Sequence, residues 1–178
     1  MAQAMQKAQF IEQYGPYGRQ TKPTFNFVLE RTERIKTVNL GTGSVIDGIG
    51  FEIVDQSGNS KTVWFGGNGQ HESVKIHMQA AEYITQISGL EGEFKGDNYQ
   101  RNVAQIWIHT NVTSAGYGPY GQARDCRDLK SFKSPSTGPV VGFFGASANL
   151  LQSIGVSVRK ELSGPELILR SFITKDDK

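Results

Sequence analysis

The apolar positions of this chain come in short runs, most with a period of two, broken by glycine. Thr24 to Glu30 (TFNFVLE), Phe51 to Val54, Lys61 to Phe65, Ser73 to Met78, Tyr83 to Ser88, Val103 to His109, Val140 to Phe144 and Ile154 to Val158 are such runs. Alternation of this length, bounded by turn formers, predicts β-strands. Gln56 to Ser60 (QSGNS) predicts a hairpin turn between Phe51–Val54 and Lys61–Phe65. Tyr14 to Gly18 reads as a turn, Gly66 to Gln70 as a glycine-rich loop, Glu91 to Asn102 as polar and turn-like, and Gln122 to Gly138 as a loop. Residues 1–13 are polar and rich in Ala and Gln, which predicts a helical or disordered extension. Residues 159–178 read as a tail with one more strand-like run, Glu166 to Ile173. Short strands with glycine turns and no amphipathic helix predict one all-β domain over residues 14–158, as a sandwich, barrel or prism.

Leu40 to Ile53 (LGTGSVIDGIGFEI) organises the rest. A glycine-rich loop runs into a strand, with Gly41 and Gly43 permitting tight or left-handed backbone. The pattern returns in Phe143 to Val158 (FFGASANLLQSIGVSV). Aligning Ile49-Gly50 with Ile154-Gly155 sets Gly43 against Ala148 and Asp47 against Gln152. GPYG also occurs twice, at Gly15 to Gly18 and Gly118 to Gly121. Such distant echoes predict a fold assembled from similar β units.

Composition narrows the chemistry. A net charge of +2 on 178 residues gives no reason to expect nucleic acid or an acidic membrane surface. No apolar stretch approaches the roughly 20 residues of a membrane helix. The lone Cys126 excludes an internal disulfide, and the N-terminal residues lack a signal-like apolar core, so a cytoplasmic location is expected. His71, His77 and His109 show no metal-ligand spacing and read as exposed strand or loop residues. Trp64 and Trp107 read as structural. A strand follows the GTG of Gly41 to Gly43, so it fails the structural test of a dinucleotide fingerprint. Neither a cofactor nor a metal is expected.

Five segments in order carry a family resemblance: GPYG, WFGGNG, EYITQISG, the second GPYG and GFFGASANLLQSIGVSV. Together, over Tyr14 to Val158, they resemble the jacalin-related lectins. The resemblance implies a β-prism of three four-stranded Greek-key sheets with pseudo-threefold symmetry. In the mannose-binding branch a Gly-x-x-x-Asp loop holds the sugar, and a glycine-rich loop from a neighbouring sheet closes over it. The usual C-terminal copy is altered here: Ala148 replaces the glycine and Gln152 the aspartate, and Gly18-Arg19-Gln20-Thr21 replaces the glycine-rich partner. Gly43, Ser44, Val45, Ile46 and Asp47 keep the pattern, with Gly69 and Gln70 in the partner loop. Ala148, Asn149, Leu150 and Gln152 form a degenerate second site, and a third equivalent places Asn102 at the aspartate position. The galactose branch needs a cleaved chain that this sequence does not suggest, so mannose- or glucose-containing glycans and glycoproteins are the implied partners.

The residues suit that chemistry. An ionised Asp47 accepts from two adjacent hydroxyls, while backbone N–H groups of Ser44 to Asp47 and of Gln70 donate. The plainer reading is that Asp47 closes a turn on its own backbone. A glycosidase needs two carboxylates roughly 5–10 Å apart, and only Asp47 is placed in the loop, so no enzyme is expected. The alternative function is a non-catalytic scaffold for protein interaction. Weak single sites imply a homo-oligomer, because retention on a cell surface then needs several sites together.

Overall fold

The computed structural model describes residues 9–67 and 71–161, and over them every regular element is a strand except one short 3-10 turn. Twelve strands form three four-stranded antiparallel sheets. Sheet I has the order β1 (Gln9–Gly18), β12 (Leu151–Glu161), β11 (Val140–Ser147), β2 (Phe25–Val28). Sheet II has the order β5 (Ser60–Gly66), β4 (Ile46–Val54), β3 (Arg34–Thr42), β6 (Glu72–His77). Sheet III has the order β10 (Cys126–Lys133), β7 (Ile84–Phe94), β8 (Gln100–Thr110), β9 (Tyr117–Tyr120). In each sheet two central strands form a hairpin, and a longer connection joins the two outer ones. This is the prism that the resemblance implied.

One strand from each sheet, β4, β8 and β12, meets the other two along the common axis. Their inward residues are fully buried: Ile49 and Phe51, Ile106 and Ile108, Ile154 and Val156. Aromatic stacking joins sheets I and II, with Phe51 and Phe143 at 4.4 Å and Phe25 and Phe65 at 4.2 Å between ring centroids. Tyr17 stacks on Phe132 at 5.0 Å and so joins sheets I and III. The small residues facing out of β4, Gly48 and Gly50, belong to a strand covered on both sides, which explains its nearly unbroken burial.

Several expected boundaries move. From Gln9 the polar N-terminal segment is strand, pairing Gln9 with Glu161 and Ile11 with Arg159. Its residues alternate between exposed and half-buried, as suits an edge strand, so the apolar signal is weak. Both GPYG segments lie largely within β1 and β9 and are not free-standing turns; β1 carries a bulge between Tyr14 and Tyr17. Glu91 to Asn102 is the far end of the β7–β8 hairpin, closed by a 3-10 turn at Lys95–Asp97. The expected loop of Gln122 to Gly138 contains β10, an edge strand exposed along most of its length. The strand-like run of Glu166 to Ile173 lies outside the described residues.

At the opposite end of sheet III from that hairpin, buried Glu82 gathers three donors. Thr110 Oγ1 donates at 2.6 Å, the Tyr117 hydroxyl at 2.7 Å and the Gln79 N–H at 2.9 Å. Burial opposes the charge, but bonds from Thr110, Gln79 and Tyr117 outweigh it and hold the carboxyl below its ordinary value. A depressed carboxyl stabilises the fold above its unfolded pKa, and that contribution is lost as pH falls through the folded value. Glu82→Gln is therefore expected to cost about 1.5–3 kcal/mol at neutral pH. Chemical denaturation of both proteins between pH 7 and pH 3 checks this: the gap between the two curves should narrow as the medium becomes more acid.

Candidate functional site

The β3–β4, β7–β8 and β11–β12 hairpins emerge at one end of the prism, where the outer connections also pass. Strand register fixes which positions correspond. Ile49 pairs with Phe65, Ile106 with Tyr120 and Ile154 with Tyr17. Counting two residues back from each isoleucine aligns Asp47, Ala104 and Gln152. The third equivalent of the aspartate is thus Ala104, and not Asn102 as the sequence suggested. Asn102 belongs to an extension of the β7–β8 hairpin, where its side chain is buried against Asp97 and Arg19.

The Asp47 and Gln152 hairpins share one backbone frame. The Gly43 N–H donates to Val45 O at 2.9 Å, and the Ala148 N–H to Leu150 O at 3.1 Å. From the outer connections, the Gly67 N–H donates to Asp47 O at 3.0 Å and the Arg19 N–H to Gln152 O at 2.9 Å. Neither Gly41 nor Gly43 nor Ala148 has a left-handed φ, so conformational freedom is not what distinguishes the two loops. The glycines that need it are Gly18 and Gly66, at φ +112° and +124°, where an added Cβ would stand 2.4 Å from Gln152 O and Asp47 O. Gly43 matters through close approach: its Cβ would sit 3.1 Å from the His71 ring.

The carboxylate of Asp47 is mostly buried, with 11 % of its side chain exposed. Its Oδ2 lies 3.3 Å from His71 Nδ1. A carboxylate oxygen only accepts, so this contact requires the proton on Nδ1 and leaves Nε2 at the open side of the ring. His71 is exposed, as expected, but it is also the immediate partner of Asp47, which spacing in the sequence does not reveal. His109, expected to be exposed, is buried between Ser88 Oγ at 2.7 Å and Ser114 O at 2.8 Å.

Ser44, Val45 and Ile46 complete the hairpin, with Val45 and Ile46 packed inward. The loop named as its partner, from Gly66 onward, joins β5 to β6 of the same sheet, not of a neighbouring one. Gly69 and Gln70 lie outside the described residues. A neighbouring sheet does supply a clamp that the sequence did not suggest. The Gln122 N–H donates to Gly43 O at 3.1 Å and the Arg124 N–H to Ser44 O at 3.0 Å.

The contacts close into a ring. The connection carrying Gln122 and Arg124 holds the Asp47 hairpin. Gly67 lies against the backbone of Asn149, where a Cβ would be 2.2 Å from the carbonyl oxygen. Arg19 reaches the β7–β8 hairpin, donating from Nε to Arg101 O at 3.0 Å and from its guanidinium to Asp97 and Asn102. Ala148, Asn149, Leu150 and Gln152 therefore retain the frame of a second site without its carboxylate, beside an arginine engaged elsewhere. Among the described residues no cluster of His, Cys, Asp and Glu could hold a metal ion. Burial, with Asp125 nearby, pushes the Cys126 thiol up and away from the reactive thiolate.

The jacalin-like lectin domain, as a family, matches residues 14–157. The chain belongs to this family. It is 30 % identical over 152 residues to a mannose/glucose-specific lectin of Parkia platycephala, covering 83 % of this chain and 32 % of that protein. The jacalin-like chain thus spans about a third of the length of that relative. Horcolin of Hordeum vulgare is 31 % identical over 127 residues, or 68 % of this chain and 80 % of its own. Among solved structures, Calystegia sepium agglutinin superposes with a TM-score of 0.70 at 23 % identity, covering 86 % of this chain and 98 % of its own. Artocarpin in complex with mannotriose gives 0.68 at 21 % identity, covering 88 % and 99 %. At these identities the structures show a shared fold.

Gly66 offers a test of this jacalin-like frame. Gly66→Ala is expected to cost about 1–3 kcal/mol from its left-handed backbone alone, and its Cβ must also push Asp47 aside. Gly58 has φ +84° but nothing within 4 Å of where a methyl would stand, so Gly58→Ala carries the backbone strain without the collision. Thermal unfolding should show the larger loss for Gly66→Ala. Amide NMR shifts of residues 43–47 should move in that variant and stay in place in Gly58→Ala.

Proposed function

We propose that this chain binds mannose- or glucose-type glycans without catalysis, holding the sugar at the Gly43–Asp47 hairpin. One observation carries the choice of loop. Of the three corresponding positions Asp47, Gln152 and Ala104, only the first puts a carboxylate into the hairpin frame. Asp47 accepts from two vicinal hydroxyls with the strength of a charged acceptor, and the backbone N–H groups of residues 44–47 donate in return. The Ala104 side chain offers neither donor nor acceptor. Gln152 is longer and neutral, so it cannot place a short carboxylate against two hydroxyls in the same way. The relatives named as mannose/glucose-specific lectins support the choice of sugar. A single carboxylate in the hairpin supports binding and not glycoside hydrolysis, which needs a pair.

An open site of this size gives affinity near the millimolar scale for a simple sugar, or about −4 kcal/mol. Self-association of the chain would convert that weak site into useful retention on a glycosylated surface.

Calorimetry with methyl α-mannoside is expected to give close to one site per chain. Asp47→Asn keeps the shape but removes the charge, at about 1.5–3 kcal/mol or roughly ten- to hundredfold in affinity. Unchanged binding by a folded Asp47→Asn protein, or two equivalent sites in the wild type, overturns the choice of loop. Retention of no mannose- or glucose-containing glycan on an array overturns the sugar-binding reading and favours a protein-interaction scaffold.

A further inference from the structure

We infer that the Trp64 indole, on the outer face of sheet II, is an extension subsite that stacks the second pyranose of a linked glycan. The inference rests on the reading of Asp47 as the ligand of the first sugar.

The indole lies across β4. Trp64 pairs with Gly50 in the ladder. A Cβ on Gly48 would stand 2.5 Å from Trp64 Cζ2, and one on Gly50 2.6 Å from Cε3. One face of the ring therefore rests on bare backbone at two successive outward positions, a contact that any larger residue would break. The ring is fixed in plane as well, since its Nε1–H donates to Gly67 O at 2.9 Å. Trp64 nevertheless remains 38 % exposed. With one face against the glycines, that exposure belongs to the opposite face and the outer edge.

Position relates this face to the candidate sugar loop. Gly48, under the ring, is the neighbour of Asp47. Gly67, which takes the indole proton, gives its own N–H to Asp47 O. The ring is thus tied to both strands that frame the carboxylate. The corresponding residues of sheets I and III are Pro16 and Pro119, so this aromatic sits beside the hairpin whose register-equivalent position, Asp47, holds the aspartate. Farther along the same cross-strand row, beyond Gly50, come Asn39 and Lys75. Asn39 Oδ1 is buried without a hydrogen-bond partner among the described residues. The face therefore combines an aromatic plane with a half-buried asparagine and an exposed lysine.

Such a face suits a pyranose. One side of the sugar ring presents C–H groups that pack on an aromatic plane, and its rim presents hydroxyls. The glycine bed and the Nε1 bond fix the indole before ligand arrives, so little side-chain freedom is lost on stacking. A monosaccharide at Asp47 does not use the ring; a sugar linked to it does.

The test compares methyl α-mannoside with an α-linked mannotriose by calorimetry on the full chain. The wild type is expected to favour the triose by about three- to tenfold, the scale of one aromatic stacking contact. Trp64→Phe and Trp64→Leu both lose the Nε1 bond to Gly67, so any effect of that bond on the first sugar is common to them. Phe should keep most of the triose preference and Leu should lose it. In a Trp107→Phe background, where Trp64 is the sole fluorophore of its kind, triose should change the emission more than the monosaccharide does. Equal affinity of wild type for both ligands, equal preference in the Phe and Leu proteins, or an emission change that is the same for both sugars overturns the subsite. Loss of monosaccharide binding in Asp47→Asn, found alongside any of these, would leave the primary site standing while removing the extension.

Discussion

Burial of three inner strands on one axis is the constraint from which the rest of this molecule follows. β4, β8 and β12 can meet there only if each sheet turns its apolar face inward, as Phe51, Ile106 and Val156 do. Their opening hairpins then emerge together at one end. Backbone groups that leave the ladders at that end still require partners. The nearest available ones belong to the next sheet, which produces the closed circuit of contacts through Arg19, Gly67 and Gln122.

Within this circuit, backbone and side chains obey separate constraints. The same N–H···O bonds support the Asp47 and Gln152 hairpins, and the same left-handed glycine precedes each outer connection. Side chains at the tips differ freely because the frame does not depend on them. One hairpin presents a carboxylate and another a neutral amide. The third has grown into a longer arm whose Asp97 and Asn102 engage Arg19. An arginine that in another setting could face a ligand is here a brace between two sheets.

The legible parts of the sequence are those where one face is apolar and the other is not. Alternation reveals the strands around Phe51, Ile106 and Ile154, and repetition exposes the kinship of Asp47 with Gln152. Edge strands are less visible: β10 (CRDLKSFK) buries little besides Phe132, and β1 leaves every residue up to Tyr14 exposed or half-buried. Asn102 is misassigned from sequence because the third hairpin is longer. Counting from its glycines drifts two residues away from the register set by Ile106 and Tyr120. His71 cannot be read as a partner of Asp47, since the contact spans 24 positions and depends on where a connection folds back. Trp64 is placed in a strand by its alternation, but that pattern cannot show that the strand beside it offers two glycines as a bed.

The first and last described residues form a pair, Gln9 against Glu161, at the end of sheet I remote from the hairpins. β12 runs eleven residues from Leu151 to Glu161, which places its two ends about 30 Å apart. Gln9 and Glu161 thus lie at the base of the prism, with the Asp47 hairpin at its crown. A tether, a neighbouring module or a solid support held against that base would stand about 30 Å from the crown. Modules strung in tandem would hold their crowns at a spacing governed by the tethers, so their reach over a glycosylated surface becomes a property of the linkers.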